Sequence, residues 1–403
     1  MNRRPRVLLV IQNDGYPSDT RVEKEATTLL ARGYGVSVIC PRFGAERGHE
    51  NVAGVHVYRF PLHASTGGAL GYFGEYLYSL LAILVLSVFV LVRRGFDVVH
   101  AQNPPDLLFI VGLCFRPFGK KFVYDQNDVA PELYLSRFDG RVGSKLHRAL
   151  SFFEGLSFRF ADAAIVANDT YAQLAVERRG VPESKLFVVR NSVDLVRLKS
   201  LHLNGKDPAG ERGTLLGYIG YLGPQDGVDH LLRSMQDLTS RRGRSDFRCL
   251  IIGDGEELEP LKALARELGV DGCVSFAGRL PWPEAMKLLH TADVCVDPDP
   301  STPFNDVSTM VKMLEYMALG KPIVAYGLPE HRRLAQGAAL YARPDDVTDL
   351  ADKVVQLADD PTLMTRLGQT GRARVEEELN WDRSAANLMQ AYERLLANLG
   401  GAQ

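Results

Sequence analysis

The stretch DVCVDPDPSTPFNDVSTMVKMLEYMALGKPIVAY (293–326) decides the fold. It opens on a short apolar run, breaks at a proline-rich loop, resumes with helical spacing and closes on a second apolar run. Pro298, Pro300 and Pro303 forbid a helix up to about residue 304, because proline lacks the N–H and crowds the preceding turn. Asp306 and Ser308 are N-cap candidates for a helix of roughly 309–319. Strands this apolar are buried on both faces, so strand–helix–strand here predicts a parallel sheet covered by helices.

The same rhythm extends in both directions. RVLLVIQ (6–12), VSVIC (36–40), DVVHA (97–101), KFVYD (121–125), AAIVA (163–167) and LFVV (186–189) read as strands of one α/β unit. LLGYIG (215–220), FRCLIIG (247–253), VSFAG (274–278), DVCVDP (293–298), PIVAY (322–326) and ALYAR (339–343) read as a second series. The polar stretch 199–214 is the natural linker between them. Trp381, Leu388, Met389, Tyr392 and Leu395 form one stripe on a closing helix, expected to cross back to the first unit. The organisation is thus 1–198, 199–379 and 380–403: two Rossmann-like halves and a returning helix. Open parallel sheets bind ligands beyond the carboxyl ends of their strands, so functional residues are sought just after strands.

Composition narrows the classes. With 403 residues and 46% hydrophobic content, the chain has material for two cores. Against 49 acidic residues stand 47 basic ones, which excludes nucleic-acid binding by bulk charge. The five cysteines form no CxxC pair and no zinc-spaced cluster, so no metal site is expected and the thiols read as buried and reduced. The apolar run after the basic start is too short for a signal-peptide core and reads as the first strand, while the reduced thiols lead to the expectation of a cytoplasmic protein.

One segment stands apart. LYSLLAILVLSVFVLV (77–92) has no charge and is followed by Arg93 and Arg94. As a helix it reaches about 24 Å, short of a ~30 Å hydrocarbon core. Three readings stay open: a helix buried against the sheet, an interfacial helix lying on the inner face of the cell membrane through 77–94, or a span.

Several motifs carry chemistry. Gly253-Asp254-Gly255 follows a strand and precedes a helix, but lacks the third glycine of a dinucleotide fingerprint. A nicotinamide-dependent dehydrogenase is therefore disfavoured. Gly220 and Gly223 lie after another strand, where backbone N–H groups can face phosphate oxygens. Lys312 and Glu315 are three apart, hence on one helix face. A carboxylate there can take two ribose hydroxyls, and a lysine one turn nearer the helix start can neutralise a diphosphate.

The order of these pieces resembles the C-terminal domain of retaining glycosyltransferases of family 4, enzymes of the GT-B fold. The pieces are the glycine loop, GDG, FAGRLPWPEAMKLLHTADV, the proline-rich loop and LEYMALGKPIVA. NSVDL (191–195) is similar to the family's Asn-x-Val-Asp junction, and SDTRVEKEA, VVHAQ and VYDQNDVAPELY match its N-terminal half more loosely. The resemblance implies two Rossmann-like domains around a cleft. It also implies metal-independent transfer of a sugar, with retained configuration, from a nucleotide-diphosphate sugar to a glycan or lipid-linked acceptor. No cofactor beyond that donor is implied. Glu315 matches the glutamate that holds the ribose. Gly220, Tyr221, Gly223, Gly253, Asp254, Gly255, Arg279, Asp306, Ser308 and Thr309 line the implied donor side, and Gly15, Arg21 and Asn191 face it from the first half.

Departures from the family pattern are equally informative. The family's other spaced glutamate falls at Val307, and its cationic pair falls at Tyr221 and Asp226. Histidines frequent in the N-terminal cleft fall near Gln102 and Asn127. Lys312 is then the candidate to supply the missing charge, helped by Arg21 and by the N–H groups near Gly223 and 308–310. Asn127, Asp128 and His100 are the acceptor-side candidates; Asp128 reads equally as a helix cap and His100 as structural. Two further readings stand beside the transferase: a non-catalytic GT-B partner subunit that has lost its basic pair, and a sugar-nucleotide epimerase.

Overall fold

The computed structural model describes residues 4–62, 68–137, 140–203 and 213–400; the centre of the expected linker, 204–212, lies outside them. The chain forms two compact units. One comprises 1–134, 140–191 and 384–403, and the other 135–139 and 192–383.

The first unit is built on an eight-stranded sheet. Its strands are Arg6–Val10 (β1), Gly35–Arg42 (β2), His49–Val52 (β3), Val55–Pro61 (β4), Val98–Gln102 (β5), Lys121–Gln126 (β6), Ala163–Val166 (β7) and Leu186–Val188 (β8). Their order is β3-β4-β2-β1-β5-β6-β7-β8, parallel throughout except for the β3–β4 hairpin. That hairpin is absent from the sequence reading, because HENVAGVHVYRF mixes polar residues into its apolar pattern. Val7 to Val10 are all buried, as a central strand covered on both faces requires. Asp19 accepts from the N–H groups of Arg21 and Val22 and so starts the helix Thr20–Ala31 directly after the β1 loop.

The second unit holds a six-stranded sheet. Thr214–Ile219 (β9), Phe247–Ile252 (β10), Val274–Gly278 (β11), Val294–Asp297 (β12), Ile323–Tyr326 (β13) and Ala339–Ala342 (β14) are all parallel. Their order, β11-β10-β9-β12-β13-β14, is the doubly wound arrangement, and its direction reverses between β9 and β12. The loops leaving these two strands are those singled out in the sequence. Apolar residues pack both sheet faces, Tyr218, Ile251 and Val296 on one and Cys295, Met313 and Tyr316 on the other.

Two expectations are corrected, and one open reading is narrowed. The helix placed at 309–319 is Val311–Ala318, capped by the extended backbone of Met310 and by no side chain. Asp306 and Ser308 therefore do not cap it: Asp306 instead accepts from Ser301 Oγ within the proline-rich turn. Cys114 is exposed, while Cys40, Cys249 and Cys295 are buried. The segment around 77–92 belongs to a 26-residue helix, Gly68–Arg93, that is not enclosed: Leu77, Leu81, Val85, Val88, Phe89 and Val92 are all exposed. Its inward face carries Ser79, Ile83, Ser87 and Val90.

The closing helix Trp381–Gly400 begins in the second unit and, from Ser384 onward, belongs to the first. Asn387 Nδ2 donates to the Val188 carbonyl, and Ser384 Oγ to the Arg190 carbonyl, which fastens it beside β8.

Gly227 has φ 59°, and a Cβ there would stand 2.2 Å from the Pro298 carbonyl oxygen, so the loop after β9 can meet the end of β12 only through glycine. Gly269 has φ +69° with open space around it. Gly269→Ala is thus expected to lower stability by the ~1–2 kcal/mol of a left-handed alanine. Gly227→Ala must add the clash, and denaturant midpoints of the two variants compare them directly. Equal losses would mean that the approach of the two loops does not constrain the fold.

Candidate active site

At the switch point of the second sheet, the loops after β9 and β12 are tied together. Asn305, fully buried, donates through Nδ2 to the carbonyls of Gln225 (2.8 Å) and Pro300 (2.9 Å). Its side chain thereby spans the glycine loop and the proline-rich loop, a role with no signature in the sequence.

Lys312 projects from the first turn of its helix into this junction and is buried. Its Nζ lies 2.5 Å from Asp299 Oδ1, 3.5 Å from Asp226 Oδ1, 3.6 Å from Asp297 Oδ1 and 3.4 Å from the Tyr218 hydroxyl. Burial alone would lower its pKa, but the three carboxylates outweigh this and raise it well above the ordinary value, so the ammonium stays charged. The charge thus lies beside Asp226 of the glycine loop. It is not free, however, because carboxylates already surround it. Gly223 N–H is taken as well, donating to Asp226 Oδ2 at 3.2 Å. The Asp226 carboxylate thus accepts from both the Gly223 N–H and the Lys312 ammonium.

Glu315, one turn further along the same helix, is half-buried and accepts from Trp282 Nε1 at 2.8 Å. The Arg197 guanidinium lies over the Trp282 ring, 5.0 Å from its centroid. Trp282, within the quoted FAGRLPWPEAMK, is the partner that the sequence reading missed. Thr309 Oγ1 donates to the buried Glu330 (2.7 Å), and Ser308 is buried. Arg279 is exposed just beyond β11, at the far edge of the sheet.

The GDG turn serves mainly the neighbouring loop. A Cβ on Gly253 would meet the Gly220 carbonyl oxygen at 1.9 Å, and Leu222 N–H donates to the Asp254 carbonyl. Gly255 N–H donates to Asp254 Oδ1. The exposed Tyr221 donates its hydroxyl to Glu256.

In the first unit, Arg21 is buried and grips Asp125 through Nη2 (2.6 Å) and Nε (2.9 Å). Its Nη1 donates to the Val189 carbonyl and to Asn191 Oδ1 (3.1 Å), and Asn191 Nδ2 reaches Asn127 Oδ1 (3.3 Å). Arg21 is therefore committed inside the unit. His100, also buried, bonds through Nδ1 to the Tyr392 hydroxyl of the closing helix (2.8 Å), while Nε2 faces Asp125 and Glu25 at 3.5 and 3.7 Å. This is a packing role at the base of the helix contact. Asn127 and Asp128 lie just beyond β6, and Asn103 Oδ1 receives both of their backbone N–H groups. Burial pushes the Asp128 carboxyl up to about 6. Gly15, in the loop after β1, donates its N–H to Asp14 Oδ1 (2.6 Å).

Two Rossmann-like units, with a tied glycine loop and a Lys/Glu helix at the switch point of one, define the class of a GT-B protein. Comparison with known proteins agrees. Residues 213–360 match the family model "Glycosyl transferases group 1", and residues 18–192 match "Glycosyl transferase 4-like domain". The chain belongs to this glycosyltransferase family. The glycogen synthase of Mycobacterium tuberculosis is 29% identical over 259 residues, which cover 64% of this chain and 60% of that one. The chain thus matches about three-fifths of the length of that relative. An uncharacterized glycosyltransferase of Methanocaldococcus jannaschii is 25% identical over 93% of both chains. The sucrose-phosphate synthase structure from Thermosynechococcus elongatus superposes with a TM-score of 0.76 at 19% identity, covering 98% of this chain and 100% of that one, and shares the fold.

Removing the Arg21 guanidinium leaves two buried carboxyls without their cation, and Arg21→Ala is expected to cost about 3–5 kcal/mol. Burial would raise Asp125, but Arg21 outweighs it and holds that carboxyl well below the usual range. A depressed carboxyl contributes stability that is present above its unfolded pKa and lost as pH falls through the folded one. The wild-type chain should therefore lose this increment only in strong acid, whereas Arg21→Ala lacks it already at pH 5–7. Urea melts at pH 7 and pH 4 measure both, and a variant as stable as wild type at pH 7 would contradict the ion-pair assignment.

Proposed function

We propose that the protein transfers a sugar, with retention of configuration, from a nucleotide-diphosphate sugar held by the second unit to a lipid-linked or glycan acceptor held by the first. The observation that carries this reading is the meeting of the Gly223 N–H and the Lys312 ammonium on Asp226 at the switch point of the second sheet, with Glu315 one turn further along the Lys312 helix. As the glycosidic bond breaks, negative charge grows on the leaving diphosphate, and stabilising that charge is the main catalytic task. In this reading the donor phosphate displaces Asp226, taking over the Gly223 N–H and the Lys312 ammonium, with no metal ion at the reacting centre. Glu315, oriented by Trp282, receives the ribose hydroxyls. Asp128 orients the acceptor hydroxyl.

Three substitutions separate these roles. Glu315→Ala should weaken nucleotide binding about tenfold or more while leaving the melting temperature in the absence of ligand nearly unchanged. Lys312→Ala should reduce turnover by orders of magnitude. Asp226→Asn should tighten diphosphate binding, because it weakens the competitor for the same two donors. Melting shifts against UDP-, GDP- and ADP-sugars report binding, since a ligand at about 100 times its dissociation constant adds roughly 2.7 kcal/mol. Unchanged affinity in Glu315→Ala would sink the ribose assignment.

The acceptor reading rests on the helix Gly68–Arg93. By length and composition its segment Gly74–Arg93 is apolar enough to cross a bilayer, with mean hydropathy 2.3, yet only 22% of that window is buried. Ser79 and Ser87 face the protein beside Ile83 and Val90, while Leu77, Leu81, Val85, Val88, Phe89 and Val92 face out. One side packs on β2 and β4, which fits a helix lying in a membrane surface with Arg93 and Arg94 at the headgroups. The helix Phe109–Phe115 packs against it and against Lys145–Phe160, which exposes Leu146 and Phe152 among Lys145 and Arg148. Hiding each large apolar side chain is worth on the order of 1 kcal/mol or more. In this reading the protein works at the inner face of the cell membrane. Flotation with vesicles containing anionic lipid should recover the wild-type chain and lose the Leu81→Glu, Val85→Glu variant. Equal recovery of the two would refute this surface.

A further inference from the structure

Below Lys312 lies a second arrangement that the transfer reading does not use. Asp297, Asp299 and His331 are all buried, at 0%, 1% and 0% exposure. They bring one carboxylate oxygen each and one imidazole nitrogen within 4.8 Å of one another. Asp297 Oδ2, Asp299 Oδ2 and His331 Nε2 are all without a hydrogen-bond partner.

The tautomer of His331 follows from its other nitrogen. Nδ1 lies 3.0 Å from the Tyr326 carbonyl oxygen, which can only accept, so Nδ1 carries a proton. Nε2 then points at Asp297 Oδ2 across 3.7 Å. That distance is too long for a hydrogen bond from a protonated ring. It is close to the separation of two ligands on one tetrahedral ion, roughly 3.3–3.6 Å when each bond is 2.0–2.2 Å. An imidazole whose far N–H is held by a backbone carbonyl is also the usual supporting arrangement of a metal-bound histidine.

Charge leads to the same place. Asp226, Asp297 and Asp299 surround the single cation Lys312, and a nucleotide diphosphate would bring further negative charge to this neighbourhood. A divalent ion shared by the two carboxylates and His331 would balance the cluster while Lys312 stays on the Oδ1 atoms of Asp297 and Asp299.

We propose that Asp297, Asp299 and His331 bind one divalent transition-metal ion of the zinc or manganese class, a structural ion beneath Lys312 that does not touch the donor. Mixed nitrogen and carboxylate ligation favours these ions over magnesium or calcium. The site rests on the donor reading only for its effect on donor affinity, and ion binding is measured without any nucleotide.

The full chain, stripped with chelator, is titrated with Zn²⁺ and with Mn²⁺. The expected result is one equivalent bound and a melting temperature raised by several degrees, with at least tenfold weaker binding in His331→Gln. No bound equivalent of either ion, or undiminished binding in His331→Gln, would overturn the proposal. Should His331→Gln fail to fold, pulsed electron paramagnetic resonance of the Mn²⁺-loaded wild-type chain decides: coupling to an imidazole nitrogen supports the site, and its absence refutes it. A nucleotide-sugar melting shift in chelator-stripped protein tests the donor reading separately.

Discussion

A single buried ammonium organises the second unit. Lys312 is held by Asp226 from the glycine loop and by Asp297 and Asp299 from the end of β12, so three chain segments meet on one charge. A buried cation of this kind is tolerated only with its counter-charges in place, and removing either side leaves the other uncompensated. The surrounding constraints follow from that requirement. Gly227 must be glycine for the two loops to approach, and Asn305 must span them to satisfy their carbonyls. An acid thus stands in the glycine loop, and its cation arrives from the helix.

The fold was legible because it is written in short apolar runs. All the strands of the second sheet, and all but the β3–β4 hairpin of the first, coincide with runs too apolar for a solvated face. The switch-point loops were legible through their glycines and prolines. The pairings across the site were not. Nothing in the spacing of Asp226, Asp299 and Lys312 says that they meet, since a loop, a strand end and a helix come together only once the sheet order is fixed. Trp282 and Glu315 are joined in the same way. The partners of Arg21 and His100 were equally hidden, because the Asp125 carboxylate and the Tyr392 hydroxyl that hold them come from distant segments of the chain.

The helix Gly68–Arg93 shows the limit of composition. Its apolar content marked it as unusual, but whether it faces protein or lipid depends on the placement of a few polar residues. Ser79 and Ser87 face inward, with Ser79 Oγ accepting from Gln12 Nε2 at 3.3 Å, and that orientation turns the aliphatic side chains outward. Average hydrophobicity cannot distinguish the two cases. The angular position of the serines can.

The closing helix also bears on how the molecule is made. Because Ser384 onward belongs to the first unit, the second unit is topologically an insertion within the first. Translation delivers everything up to Asn191 well before the residues that pack on β8 and bond to His100. At about 5–20 residues per second, the gap is roughly 10–40 s. During that interval the pocket around His100 lacks the Tyr392 hydroxyl, while the apolar helix Gly68–Arg93 has already been synthesised. A nascent first unit therefore waits incomplete, with the outward-facing apolar side chains of that helix already made.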